Sequence, residues 1–354
     1  MATPSSVATS TASAAPERIT LVGAGAVGLL LGARLAAGGH SVMFAVRRSE
    51  VAERITREGV CVVDAVSGRA TTAAAEAAVG SAALENIGDG PVVVAVRAED
   101  TPRLAEELVP CAPRALLVSA QNDVGNEAVL ARHAPRVAGM VVRQTCTRID
   151  EARVRSLGGG RLVLGSHPSR IDAGVRALAS AFAGVGFDVG LSERIGEDKW
   201  LKLCVNLMSS VNALVRRDDH EKPAFVRLKT GLLEEARAVL TAAGVTARSA
   251  DGRDRSLDEE IEHQRRTIEL GTSARRLPLY NACWAALDDP TRPLEADAYH
   301  SRILDHARLH DIDAPTHAVM RDAVRAAWEQ ATGPECLGAD ELLERVRIRV
   351  GRDT

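Results

Sequence analysis

A chain of 354 residues that is 46% hydrophobic has room for two domains at roughly 100–200 residues each, with a core in both. Its formal charge of −3 carries no overall basic footprint for nucleic acid, and its arginines interleave with acids, as in DEEIEHQRRTIE, the pattern of solvated helix faces. No apolar run reaches the roughly 18 residues that span a bilayer, so no membrane helix is expected.

The first sixteen residues, MATPSSVATSTASAAP, lack both a basic n-region and an apolar h-region. They are expected to be a disordered tail rather than a signal peptide. Ordered structure is expected from Glu17. Ile19–Val22 is a short apolar run that ends in Gly23-Ala24-Gly25-Ala26-Val27-Gly28. A GxGxxG is weak evidence in a chain with 29 glycines. Its context strengthens it, because LLLGARLAAGG follows as a helix and Ser41–Val46 as a second strand, giving a strand–glycine turn–helix–strand unit. In that setting Gly23 permits the turn, Gly25 lets backbone approach a pyrophosphate, and Gly28 lets helix and strand pack closely. Ala26 and Val27 begin the helix whose N-terminus faces the phosphates.

The second strand ends in FAVRRSE. An NAD-preferring site carries an acid near this point. Here Arg47 and Arg48 stand instead, suited to a 2′-phosphate, so the expected cofactor is NADPH. The bland alternative is two arginines exposed at a strand end.

Further strand candidates are CVVDAV near 61, Pro91–Val96, Ala115–Ala120 and GMVV near 140, with RLVLGS and GFDVGL completing the sheet. After about residue 192 almost all patterns are helical, and Thr241–Gly252 reads as an interhelical loop. The expected architecture is α/β: a Rossmann-type dinucleotide-binding domain over 17–191, followed by an all-helical substrate and catalytic domain over 192–354. The cysteines at 61, 111, 146, 204, 283 and 336 show no CxxC or Cys/His ligand spacing. They read as reduced, buried thiols of a cytoplasmic protein. His300, His306 and His310 have helical spacing without an accompanying acid, and read as solvent-exposed histidines that hold no metal.

In EDKWLKLCVNLMSSVNAL, Lys202 and Asn206 lie four apart and share a helix face. An ammonium on a Leu- and Val-rich helix is costly without partners. It suits a proton donor to a carbonyl oxygen that receives hydride.

Together with the glycine turn and basic strand end, the segments Gln121-Asn122-Asp123-Val124-Gly125-Asn126-Glu127, WLKLCVN and LEADAYHSRILDHARLHDIDAP resemble the ketopantoate reductase family. The resemblance spans nearly all of the chain beyond the tail. It implies NADPH-dependent reduction of a 2-oxo acid, 2-dehydropantoate to pantoate, with a small molecule as substrate; the apolar stripes of the helical domain leave room for a homodimer, the expected assembly, and the charge and apolar patterning point to neither nucleic acid nor membrane as partner. The resemblance also implies Lys202 as general acid and Glu295 as the carboxylate near the substrate hydroxyl. Asn122 would lie between nicotinamide and substrate, Asn206 would hold substrate, and Arg97 would stand where the family has a cofactor-contacting lysine. On the residues alone, Glu295 is a helix-start acid and Asn122 a turn residue.

Three departures from the family pattern stand out. Asp123 replaces a glycine, Ser210 replaces a second asparagine one turn beyond Asn206 and is expected to bind substrate there, and Cys283 or Trp284 occupies the region of an expected serine, so all three changes are expected around the substrate. An inward Asp123 would repel a carboxylate substrate. These changes motivate two alternatives: a relative that reduces a different carbonyl or imine, and a non-catalytic NADPH sensor.

Overall fold

The computed structural model describes residues 18–351 apart from 86, 159 and 270–280; the expected tail lies outside these. In chain order the first part comprises β1 (Ile19–Val22), α1 (Ala26–Ala37), β2 (Val42–Val46), α2 (Ser49–Glu58), β3 (Val60–Asp64), β4 (Ala70–Ala73), β5 (Glu76–Val79), α3 (Gly80–Glu85), β6 (Val92–Val94), α4 (Thr101–Leu108), β7 (Leu117–Ser119), α5 (Asn126–Ala131), β8 (Val137–Arg143), β9 (Cys146–Arg148), β10 (Arg153–Ser156), β11 (Arg161–Ser166), α6 (Ala173–Gly184) and β12 (Asp188–Leu191). Helices follow: α7 (Ile195–Leu214), α8 (Pro223–Ala242), α9 (Leu257–Glu269), α10 (Ala282–Asp288), α11 (Ala296–Leu309), α12 (Pro315–Glu329) and α13 (Ala339–Val350).

Eight strands form one sheet in the order β12-β11-β8-β7-β6-β1-β2-β5. Neighbours are parallel except β11 against β8. Every residue of β1 and β2 is buried, as strands covered on both faces require. CVVDAV departs from expectation. As β3 it lies in a second sheet, order β4-β3-β10-β9, and β5 takes the place beside β2. The cause is α1, where Leu29, Leu30 and Leu31 are consecutive and wholly buried. A helix that is apolar all round must be covered all round. The large sheet covers one flank, while Val60, Val62 and Val154 of the small sheet join the same core from the other.

The helical region packs around α7, which also lies on β8. The connector between α8 and α9 is tied to the sheet edge: Arg161 pairs with Asp251 and Asp254, and Arg253 reaches Asp188 at 2.6 Å.

His300 corrects the expectation of exposed histidines. It is wholly buried, because α11 packs against α7 and α12 and turns this face inward; His306 is half-buried and only His310 is exposed. Buried polar groups need partners, and a chain supplies them. His317 Nε2 lies 3.0 Å from the Leu232 carbonyl, His300 Nδ1 lies 3.1 Å from His317 Nδ1, and His300 Nε2 lies 2.9 Å from Ser210 Oγ. The carbonyl can only accept, so neutral His317 carries its proton on Nε2. His300 must then donate through Nδ1, which leaves its Nε2 as an acceptor that competes with the Leu207 carbonyl, 2.9 Å from Ser210 Oγ, for the single hydroxyl proton of that serine.

Burial pushes His317 down to about 4 and His300 well below its usual value. Both are neutral in the fold and gain a proton on unfolding, so stability is lost as pH falls below about 6.5. Each contributes up to about 1.4 kcal/mol per pH unit until its folded value is reached. Urea unfolding between pH 7 and 5 will show this slope, and His317→Gln will flatten it; an unchanged slope in the variant would refute the assignment.

Candidate active site

The glycine turn and α7 face one cleft of about 2540 Å³. At the turn, Gly23 adopts φ +104, and a Cβ on Gly28 would stand 2.1 Å from the Gly23 carbonyl oxygen. Only glycine fits there. A Cβ on Gly25 would meet protein only at Ala95 O, 3.9 Å away, and would otherwise occupy the cleft itself. No side chain caps the α1 N-terminus at Gly25. Ala26 and Val27 begin the helix on the cleft wall, so among the described residues an uncapped helix N-terminus borders the cleft. That arrangement fits a pyrophosphate.

Arg47, Arg48 and Arg97 line the same end. All are substantially exposed, and acids hold them: Arg47 to Asp100 at 3.6 Å, Arg48 to Glu151 at 3.6 Å, and Arg97 to Glu99 at 2.7 Å. Arg47 and Arg97 share Asp100 as a partner, so guanidinium groups and carboxylates alternate on this part of the cleft wall.

At the other end, Lys202, Asn206 and Ser209 run along α7 on the cleft wall. Lys202 is 9% exposed. Its Nζ donates to Asn122 Oδ1 at 2.7 Å and to the Val142 carbonyl at 2.7 Å. An ammonium has three donors, so among the described residues one N–H has no partner. Burial, then the charges of Arg143 and Lys199, push Lys202 down to about 7, against the pull of Glu295. Asn122 Nδ2 donates in turn to Glu295 Oε2 at 3.4 Å, and Tyr299 Oη donates to the same oxygen at 2.5 Å. Tyr299 is buried and raised well above its usual value, so it stays a donor. Lys202, Asn122, Glu295 and Tyr299 form one connected set.

Two expected features fall elsewhere. Ser210 is wholly buried and serves the His300 chain. The cleft stripe continues 202, 206, 209, and the next residue rotates about 100° into the helical core. Asp123 does not face the cleft either; it is buried and ion-paired with Arg302 at 2.8 Å, so the expected repulsion of substrate does not arise. Cys283 does lie on the cleft wall, though burial pushes its thiol up to about 12. Of the six cysteines, all free, Cys111, Cys146 and Cys336 are only half-buried.

Sequence reasoning missed Tyr299, Lys199 and Glu127. Lys199 and Glu127 form a buried ion pair, and Lys199 also donates to Ser119 Oγ at 3.0 Å. The spacing of Lys199 and Lys202 on one helix, and of Glu295 and Tyr299 on another, was the available signal.

A glycine turn and a buried lysine share one cleft, on a mostly parallel sheet joined to a helical bundle, an arrangement that fits an oxidoreductase of dehydrogenase type. Residues 19–169 match the family model described as ketopantoate reductase PanE/ApbA, and the similarity extends through the helices. A 2-dehydropantoate 2-reductase of Halobacterium salinarum is 28% identical over 312 residues, 88% of this chain and 98% of the relative. Among solved structures, D-mandelate dehydrogenase with NADH and anilino(oxo)acetate aligns with a TM-score of 0.74 at 16% identity, covering 89% of this chain and 99% of that one. A PanE/ApbA family ketopantoate reductase from Ralstonia eutropha aligns with a TM-score of 0.73 at 24% identity over the same shares. At these identities the two structures speak for the fold alone.

Proposed function

We propose that this protein reduces a 2-oxo acid to the 2-hydroxy acid with NADPH, 2-dehydropantoate to pantoate being the first substrate to test. Reduced nicotinamide, when bound, would supply the hydride for the 2-oxo carbon. Lys202 donates a proton to the carbonyl oxygen through the N–H that Asn122 and Val142 leave free. Asn122 accepts from Lys202 and donates to Glu295, which fixes the direction of its carboxamide. Glu295, steadied by Tyr299, and Asn206 orient the substrate. Gly23, Gly25 and Gly28 hold the pyrophosphate at the α1 terminus, and Arg47, Arg48 and Arg97 meet the 2′-phosphate. A homodimer in a reducing compartment goes with this reading. The observation that carries it is Lys202, a buried amine held near neutrality in the cleft that the glycine turn opens.

The test is NADPH oxidation across a panel of 2-oxo acids, with Lys202→Ala as control. Tight NADPH binding without turnover of any of them would overturn the reading. Cys283, on the cleft wall in the region where the resemblance implies a serine, supports a second reading, reduction of another carbonyl or an imine. A panel containing those compounds separates the two.

Cofactor choice gives a separate expectation. Charge-assisted bonds to phosphate are worth about 1.5–3 kcal/mol, so Arg47→Ala or Arg48→Ala will lower the NADPH-to-NADH efficiency ratio about tenfold or more, while Asp100→Asn, which frees Arg47, will raise it. An unchanged ratio in both arginine variants would remove the 2′-phosphate assignment.

A further inference from the structure

Two consecutive side chains after β7 both reach α11. Asn122 reaches Glu295, the residue at the start of that helix. Asp123, 5% exposed, receives Arg302 as a fork: Nε lies 3.2 Å from each carboxylate oxygen, and Nη2 lies 2.8 Å from Oδ2. Glu295, Tyr299 and Arg302 are spaced four and three apart, so they form one stripe along α11 facing this loop. The loop is held from its own side too. Asp123 Oδ1 accepts from the Val124 amide at 2.8 Å, and Asn126 Nδ2 donates to the Asp123 carbonyl at 3.2 Å. Asp123 does not line the cleft.

A forked arginine–carboxylate contact fixes both distance and angle, which a single hydrogen bond does not. Here it joins the loop that carries Asn122 to the helix that carries Glu295. The Asn122–Glu295 contact, at 3.4 Å, is long and cannot set that geometry by itself. We propose that Asp123 and Arg302 are positioning residues for the reaction centre, a clamp that sets the separation of Asn122 and Glu295 around the Lys202 amine without touching substrate. The clamp rests on the reading of Lys202 as general acid. It matters because reacting groups displaced by about 1 Å lose up to about a hundredfold in rate.

The test uses Arg302→Met, with Arg302→Lys as the milder variant should the first fail to fold, and two readouts. In NADPH-dependent turnover, Arg302→Met will lower kcat about tenfold to a hundredfold with the Kd for NADPH unchanged. Arg302→Lys will recover only part of this, since an ammonium cannot fork, and the double variant Asp123→Asn/Arg302→Met will be no worse than Arg302→Met alone, as expected of residues acting as a unit. Independently of any substrate, the titration of the Lys202 amine followed by nitrogen NMR of labelled lysine will shift by about half a unit or more in Arg302→Met. A variant that melts earlier yet keeps wild-type kcat and an unmoved Lys202 titration overturns the clamp and leaves a purely structural ion pair. Full turnover in Lys202→Ala would instead overturn the general-acid reading, while the titration shift still reports on the clamp.

Discussion

Replacing Lys202 with alanine will lower kcat by about 10²- to 10⁴-fold, the range expected for a lost general acid, while NADPH binding stays close to wild type. The selectivity of the effect follows from where the amine sits. Its two observed acceptors, Asn122 Oδ1 and the Val142 carbonyl, belong to the cleft and not to the glycine turn. The pH profile gives a second signature. An acid acts only while protonated, and Lys202 is held at about 7, chiefly by burial. Turnover will therefore be level below neutrality and fall about tenfold per unit above it, and the falling limb will vanish in the alanine variant. A Lys202→Ala enzyme that retains both wild-type turnover and that limb would exclude the lysine as proton donor.

Replacing Lys199 with methionine will cost about 3–5 kcal/mol of stability, the usual penalty for stranding one member of a buried ion pair. Lys199 and Glu127 are both buried and paired, and Lys199 also holds Ser119. Without the ammonium, the Glu127 carboxylate has no compensating charge in a place water does not reach. The double variant Lys199→Met/Glu127→Leu will recover much of the loss, since an apolar pair can replace a buried ionic one. Urea unfolding at pH 7 measures both. A single variant within about 1 kcal/mol of wild type would mean that the pair is not desolvated as described.

The glycine-turn end of the cleft was legible because its signal is local. Glycine spacing, the strand before it and the helix after it fall within a few dozen residues, and Gly28 cannot be otherwise when its Cβ would meet the Gly23 carbonyl. The stripe of Lys202 and Asn206 was legible for the same reason, being set by helical periodicity alone. The second sheet was not, since β3 pairs with β10 across some ninety residues of sequence; the three consecutive leucines of α1 were the one hint that two surfaces needed covering. Nor could the sequence direct Asp123 and Ser210. Each departs from the family pattern, yet their partners, Arg302 and His300, lie far along the chain, and only packing turns both side chains away from the cleft.

The leucine-rich helix shared by the two sheets has a bearing on affinity. On the proposed reading its first residues border the place of a pyrophosphate, and its body is gripped from both flanks, so the amides there would be in place before any dinucleotide arrives. Binding then spends little free energy on ordering the loop, and more of the phosphate contact energy appears as affinity.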